Sequence, residues 1–156
     1  MIKKVEISEF KNVIEQFKNL EIIDFINIEN ILNIKFEEKP VSNSGSFSKY
    51  YLDLNNQQGY FKELEFRKPN DKYRNNKGLI KVIMKLELEI TQADIITNFG
   101  TPKFFLPPLN MLNNAIKHLT YNLKNLNLSF GFPHKGEDCL NSIVFDYYSK
   151  NIDCQL

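Results

Sequence analysis

From Ile80 to Ile90 apolar side chains fall at every second position (Ile80, Val82, Met84, Leu86, Leu88, Ile90), with Lys81, Ile83, Lys85, Glu87 and Glu89 between them. A period of two puts one set under a cover and the other in water, as in an antiparallel strand buried on one side. The strand runs into Thr91, three residues ahead of Asp94. That spacing lets each side chain accept from the other's backbone N–H, as in a capping box. Ile95, Ile96 and Phe99 then supply a helical stripe, Gly100 a left-handed stop and Pro102 a block against further helix. Segment 79–108 therefore reads as strand, short capped helix and proline-stiffened connector. Gly100 ends a helix instead of opening one, so it belongs to no phosphate-binding loop.

A sheet of this kind needs a core to cover it. The 156 residues suit one domain, and a chain of that length buries about 70% of its unfolded surface. Phenylalanine supplies 13 residues and tryptophan none, so the core is expected to be Phe, Ile and Leu. The net charge of +1 gives neither a general basic field for nucleic acid nor an acidic mimic of a phosphate backbone. At the start, MIKKVEISEF, Glu6 and Glu9 interrupt any apolar run, and no stretch approaches the ~20 apolar residues of a membrane span. A soluble, cytoplasmic chain is expected, with Cys139 and Cys154 as thiols; a bridge between them is the alternative.

Ser8 is positioned to cap a first helix to about Leu20, with Phe10, Val13, Ile14, Phe17 and Leu20 on one side. A second helix is expected from Ile28 to about Phe36, then a loop to Ser46. Strands follow at 47–54 and 60–67, a basic loop at 68–78, and, after the central segment, strands at 118–124, 126–132 and 140–148. Residues past Lys150 are expected to fray. The order repeats: short helix, proline-containing connector and three antiparallel strands occur from Ile28 to Ile90 and again from Gln92 to Tyr148. The expected fold is thus α+β, one domain over 1–156 with structural halves 1–90 and 91–156. Two helix-βββ units build a mainly antiparallel sheet of about six strands with short helices on one face.

The second half carries a helix ending in Phe-Gly-x-Pro, a tyrosine-bearing strand, a hairpin and a closing strand, through Thr91, Ile95, Phe99, Gly100, Pro102, Tyr121, Phe130 and Ile143. This plan resembles that of small outer-membrane assembly lipoproteins and, doubled, the beta-lactamase inhibitory protein. It is also similar to cytoplasmic immunity proteins of bacterial polymorphic or contact-dependent toxins. The stretch MIKKVEISEF does not read as the lipoproteins' signal with its lipidated cysteine, so an envelope role is not expected. The resemblance implies a protein that binds through its uncovered sheet face, with a cognate toxin or effector as partner. A toxin acting in the cytoplasm, such as a nuclease, is the class implied.

No constellation of catalytic residues emerges. His134 and Cys139 flank a turn, HKGEDC, with no third group to orient them and no paired-ligand spacing for zinc. Asp53, Glu63, Glu65, Glu87, Glu89 and Asp146 are read as carboxylates that pair with lysines across strands, not as an acid–base pair. The loop RKPNDKYRNNKG is read as solvated, and FFLPPL (104–109) as chain folded over the sheet. Strand parity gathers Tyr51, Phe61, Glu65, Lys85, Glu87, His118, Asn122, Ser129, Asp146 and Tyr148 on the bare face, and rings among charges suit a protein interface. An ordinary wet sheet face is the competing reading. The expectation is a binding protein that occludes a toxin, with no enzyme activity, cofactor, metal, membrane or direct nucleic-acid contact. A chaperone or adaptor for a secreted effector is the alternative, and an enzyme using the Cys139 region a third. Oligomeric state is left open.

Overall fold

A computed structural model gives the fold; it describes residues 7–36, 42–43, 45–54, 59–70, 77–85, 89–106, 116–133 and 138–147. The chain opens with α1 (Ile7–Lys18), whose buried Phe10, Ile14 and Phe17 recur at helical spacing. Helix α2 (Phe25–Leu32) follows, capped by the Asp24 carboxylate, which accepts from the Asn27 N–H at 2.9 Å. It closes on Asn33 in the left-handed region (φ 55°), which asparagine tolerates better than most residues. Two sequence expectations change here. Ser8 lies within the first turn of α1, and α2 begins three residues before Ile28 because Asp24 supplies the cap.

The strands are β1 (Ser42–Asn43), β2 (Phe47–Asp53), β3 (Phe61–Pro69) and β4 (Leu79–Met84). After helix α3 (Gln92–Phe99) come β5 (Phe104–Leu106), β6 (Ile116–Asn122), β7 (Asn127–Pro133) and β8 (Ser142–Asp146). They form one antiparallel sheet in the order β1-β2-β3-β4-β8-β7-β6-β5. With its eight strands the sheet is wider than the six expected, since β1 and β5 lie where the sequence reads as loop and connector. The order is mirrored about β4 and β8. Each half is a helical segment followed by a meander, and the two meanders meet through their last strands.

The expected strand from Ile80 to Ile90 is shorter, β4 ending at Met84. Its neighbours explain the stop: β3 begins at Phe61 and β8 at Ser142, so pairing partners run out together. The junction is then held by single backbone bonds, Met84 N–H to Asn141 O at 2.8 Å and Leu140 N–H to Ile90 O at 2.7 Å. Thr91 and Asp94 form the predicted capping box, and Gly100 takes φ 86°, where a Cβ would be strained.

All three helices lie on one side of the sheet. Phe17 of α1 packs on Phe145 with ring centroids 4.8 Å apart, Phe25 of α2 on Phe66 at 5.5 Å, and Phe99 of α3 on Phe130 at 5.1 Å. Phe66, Ile80, Val82, Phe130, Phe132, Ile143 and Phe145 are fully buried there, and taking each side chain out of water stabilises the fold by about 1.5–3 kcal/mol. The buried Tyr147 hydroxyl donates to the Phe17 carbonyl at 2.6 Å, fastening α1 of the first half to the last strand of the second. No helix among the described residues is long and apolar enough to cross a membrane.

Candidate functional site

The other side of the sheet carries the alternate residues of every strand, and register sets them in rows across it. One row runs Tyr51, Glu65, Lys81, Val144, Ser129, Thr120. The row on one side is Lys49, Arg67, Leu79, Asp146, Asn127, Asn122; on the other it is Asp53, Glu63, Ile83, Ser142, Gly131, His118. The face thus divides: β2 to β4 present charges and an aromatic, β8 to β6 mostly small neutral side chains. Among the described residues no helix packs on it.

The charged half is ordered by Glu65. One carboxylate oxygen accepts from Arg67 Nε at 2.9 Å and lies 3.2 Å from Lys49 Nζ. Burial pushes the Glu65 carboxyl up, but Arg67 and Lys49 outweigh burial and hold it below the usual carboxylate range. Arg67 also lies over the Phe47 ring at 5.5 Å. Tyr51 stands beside this network 47% exposed, the one exposed large hydrophobic side chain of the face among the described residues. Its hydroxyl is raised above the usual tyrosine range by partial burial and then by Glu63 and Asp53.

The small half is shaped by Gly131. A Cβ there would stand 2.5 Å from Ser142 Oγ, 2.8 Å from Ile116 Cγ2 and 3.3 Å from His118 Cε1. Those side chains close over the glycine, and Ser142 is only 3% exposed. The Thr120 and Ser129 hydroxyls hydrogen-bond each other at 3.0 Å. His118 keeps Nδ1 buried without a hydrogen-bond partner. Burial and then the Lys81 charge lower its pKa from the ordinary 6.5.

Of the residues that parity assigned to the bare face, Tyr51, Glu65, His118, Asn122, Ser129 and Asp146 lie on it. Phe61 does not: it is 4% exposed in the core. The ladder steps from Phe61–Met84 to Glu63–Ile83, two residues of β3 against one of β4, and such a bulge inverts the alternation. Lys85 is half-buried just past β4, its N–H donating to the Tyr60 carbonyl at 3.0 Å. Glu87 and Tyr148 lie outside the described residues. Lys49, Glu63, Arg67 and Lys81 join the face although they were not among the residues assigned to it; the same period of two, applied to β2, β3 and β4, places them there.

Comparison with protein-family models, with curated proteins and with solved structures returns no match. Five of the eight residues behind the family resemblance, Phe99, Gly100, Tyr121, Phe130 and Ile143, meet at one place in the fold. Phe99 packs on Tyr121 and Phe130, the Tyr121 hydroxyl donates to the Gly100 carbonyl at 2.6 Å, and Ile143 pairs with Phe130. They lock the end of α3 onto β6 and β7, which is a structural task.

The other candidates disperse. Cys139 is a half-buried thiol ahead of β8, while His134 and Cys154 lie outside the described residues. Arg67 and Lys68 of the expected basic loop belong to β3, Arg67 on the bare face and Lys68 over the Phe25 ring at 5.1 Å on the covered one. Phe104–Leu106 of the FFLPPL segment form the edge strand β5, and Pro107, Pro108 and Leu109 lie outside the described residues. No group of three potential metal ligands occurs among the described residues. A cleft of about 490 Å³ opens between the end of α2 and β2, large enough for a small molecule. Its Glu29 carboxylate is already engaged by the Phe36 N–H and lies near Lys35, so no reactive set converges there.

Proposed function

We propose that the chain is a cytoplasmic immunity or inhibitor protein that binds a cognate bacterial toxin and occludes it with the bare side of its sheet. The observation that carries this reading is the exposed Tyr51 ring set beside the Lys49–Glu65–Arg67 network on a face free of described helices. A ring held on a strand offers contact area with little rotamer entropy to lose, and a pre-formed charge network fixes the register of a partner. Size also favours it. Eight strands at their usual spacing span about 34 Å, and strands of some six residues about 20 Å, giving roughly 700 Å². Each partner in a standard protein interface contributes about 800 Å². A nuclease fits the acidic corner of Asp53 and Glu63, which can face a basic active site without the whole chain being acidic.

Co-expression with the toxin encoded by the neighbouring gene tests this. The chain rescues growth, and by calorimetric titration Tyr51→Ala weakens binding about tenfold, or 1.4 kcal/mol, with thermal unfolding nearly unchanged. Equal affinity for both proteins contradicts the reading. A chaperone would instead raise the effector's yield or export without protecting the cell.

A further inference from the structure

The polar cleft of about 490 Å³ between the end of α2 and β2 does not stand alone. Next to it, between α1, α2 and the start of β3, lies an apolar crevice of about 130 Å³ walled by Val13, Ile31, Leu32 and Phe61. Ile34 and Leu54 line both hollows, so the two form one recess with a polar end and an apolar end. Leu54 is buried and floors it, whereas Val13, Ile31, Leu32 and Ile34 are only half-buried, which leaves the recess open to water. Gly59 stands at the rim of the crevice with φ 133°, and nothing lies within 4 Å of where a Cβ would be. A side chain there would be strained, so the rim stays clear.

The two ends suit different chemistry. The apolar end is close to the ~150 Å³ that takes a benzene ring. At the polar end the Glu29 side chain is 13% exposed; its Oε2 accepts from the Phe36 N–H at 3.2 Å and lies 3.9 Å from Lys35 Nζ. Among the described residues its Oε1 has no partner. The Lys35 side chain is 94% exposed, so its charge is screened by water and it is a weak rival for that carboxylate. Asp53 lines the same end, and α2 finishes there at Asn33, its C-terminal carbonyls adding negative potential. Apolar walls beside acceptors of negative sign select a cation on an apolar body. We infer that this recess binds a small primary amine with an apolar group of about ring size. The ammonium donates to Glu29 Oε1 and the apolar group enters the crevice beside Val13, Ile31 and Phe61. The site stands on the helix-side recess and does not depend on the bare face being a binding surface.

The test is an NMR titration of the full chain with 2-phenylethylamine, the neutral 2-phenylethanol and the anionic 3-phenylpropanoate. The amine moves the methyl signals of Val13, Ile31, Ile34 and Leu54 and the Glu29 carboxyl carbon together and saturably, in the millimolar range expected of so small a ligand. The alcohol binds about fivefold more weakly, and the carboxylate leaves those signals in place. Glu29→Gln keeps an acceptor for the Phe36 N–H and brings the amine down to the affinity of the alcohol. Val13→Phe sets a ring into the crevice and removes the response to both. Should Val13→Phe fail to fold, the order of the three compounds and the Glu29→Gln comparison still decide. An amine that binds no better than the alcohol overturns the inference. So do shifts that miss the four methyl groups, or that grow without saturating.

Discussion

His118 shows how one residue's surroundings govern its chemistry. Its position in the period of two was legible, since the apolar alternation of Leu119 and Tyr121, both buried, leaves His118 on the bare face. The desolvation was not, because Ile116, Gly131 and Ser142 come from three strands whose register no local pattern fixes. Burial and Lys81 keep the ring neutral below the ordinary pKa of 6.5, the value it recovers on unfolding. The unfolded chain therefore binds a proton that the native one refuses, and stability falls as pH drops from 6.5 towards the native pKa. Thermal melts between pH 7 and about 5 show a declining midpoint in the wild type and a flatter one in His118→Gln. A wild type as flat as the variant would show that the ring is not desolvated. Glu65, held low by Arg67 and Lys49, contributes stability that is lost only at more acid pH, so the two effects separate. Phe61 marks the limit of parity at this scale: one extra residue in β3 sends it to the core, and nothing in YFKELEF announces the bulge.

Elements were legible where their ends are chemically marked. The Thr91–Asp94 box and Gly100 bound α3 as the residues predict, and β2, β3, β6 and β7 fall close to their apolar alternations. The misses come from tertiary pairing: β4 stops where its neighbours stop, and β5 exists because Phe104–Leu106 finds β6 beside it. Contacts between elements are decisive in the same way at Tyr147, whose buried hydroxyl ends the walk of α1 by bonding the Phe17 carbonyl. Tyr147→Phe removes this short bond and leaves that carbonyl with only the longer one from the Leu20 N–H at 3.3 Å, costing about 1–2 kcal/mol. For a chain of this length the melting midpoint then drops by roughly 3–6 °C, read by far-ultraviolet circular dichroism. An unchanged midpoint would mean that water replaces the tyrosine and that α1 is less firmly seated than the geometry has it.

At the scale of the molecule, the repeat of helix and meander was visible in the sequence, but the way the halves join was not. The mirrored order brings β4 and β8 together, and α1 reaches over to Phe145 and Tyr147 of the other half. The halves therefore share one core. Calorimetry is expected to give a single transition with equal calorimetric and van't Hoff enthalpies, and the fragment 1–90 alone to lack a cooperative melt. Two resolved transitions would show that each half folds by itself. The same one-sided cover leaves the sheet's other side as the surface on which function is proposed to rest. Its direct measurement is the backbone amide footprint of the labelled chain bound to the toxin of the neighbouring gene. Changes are predicted at Tyr51, Glu65, Lys81, Ser129 and His118, with the outward surfaces of α1, α2 and α3 unmoved. A footprint on the helices that spares those strands would contradict the account.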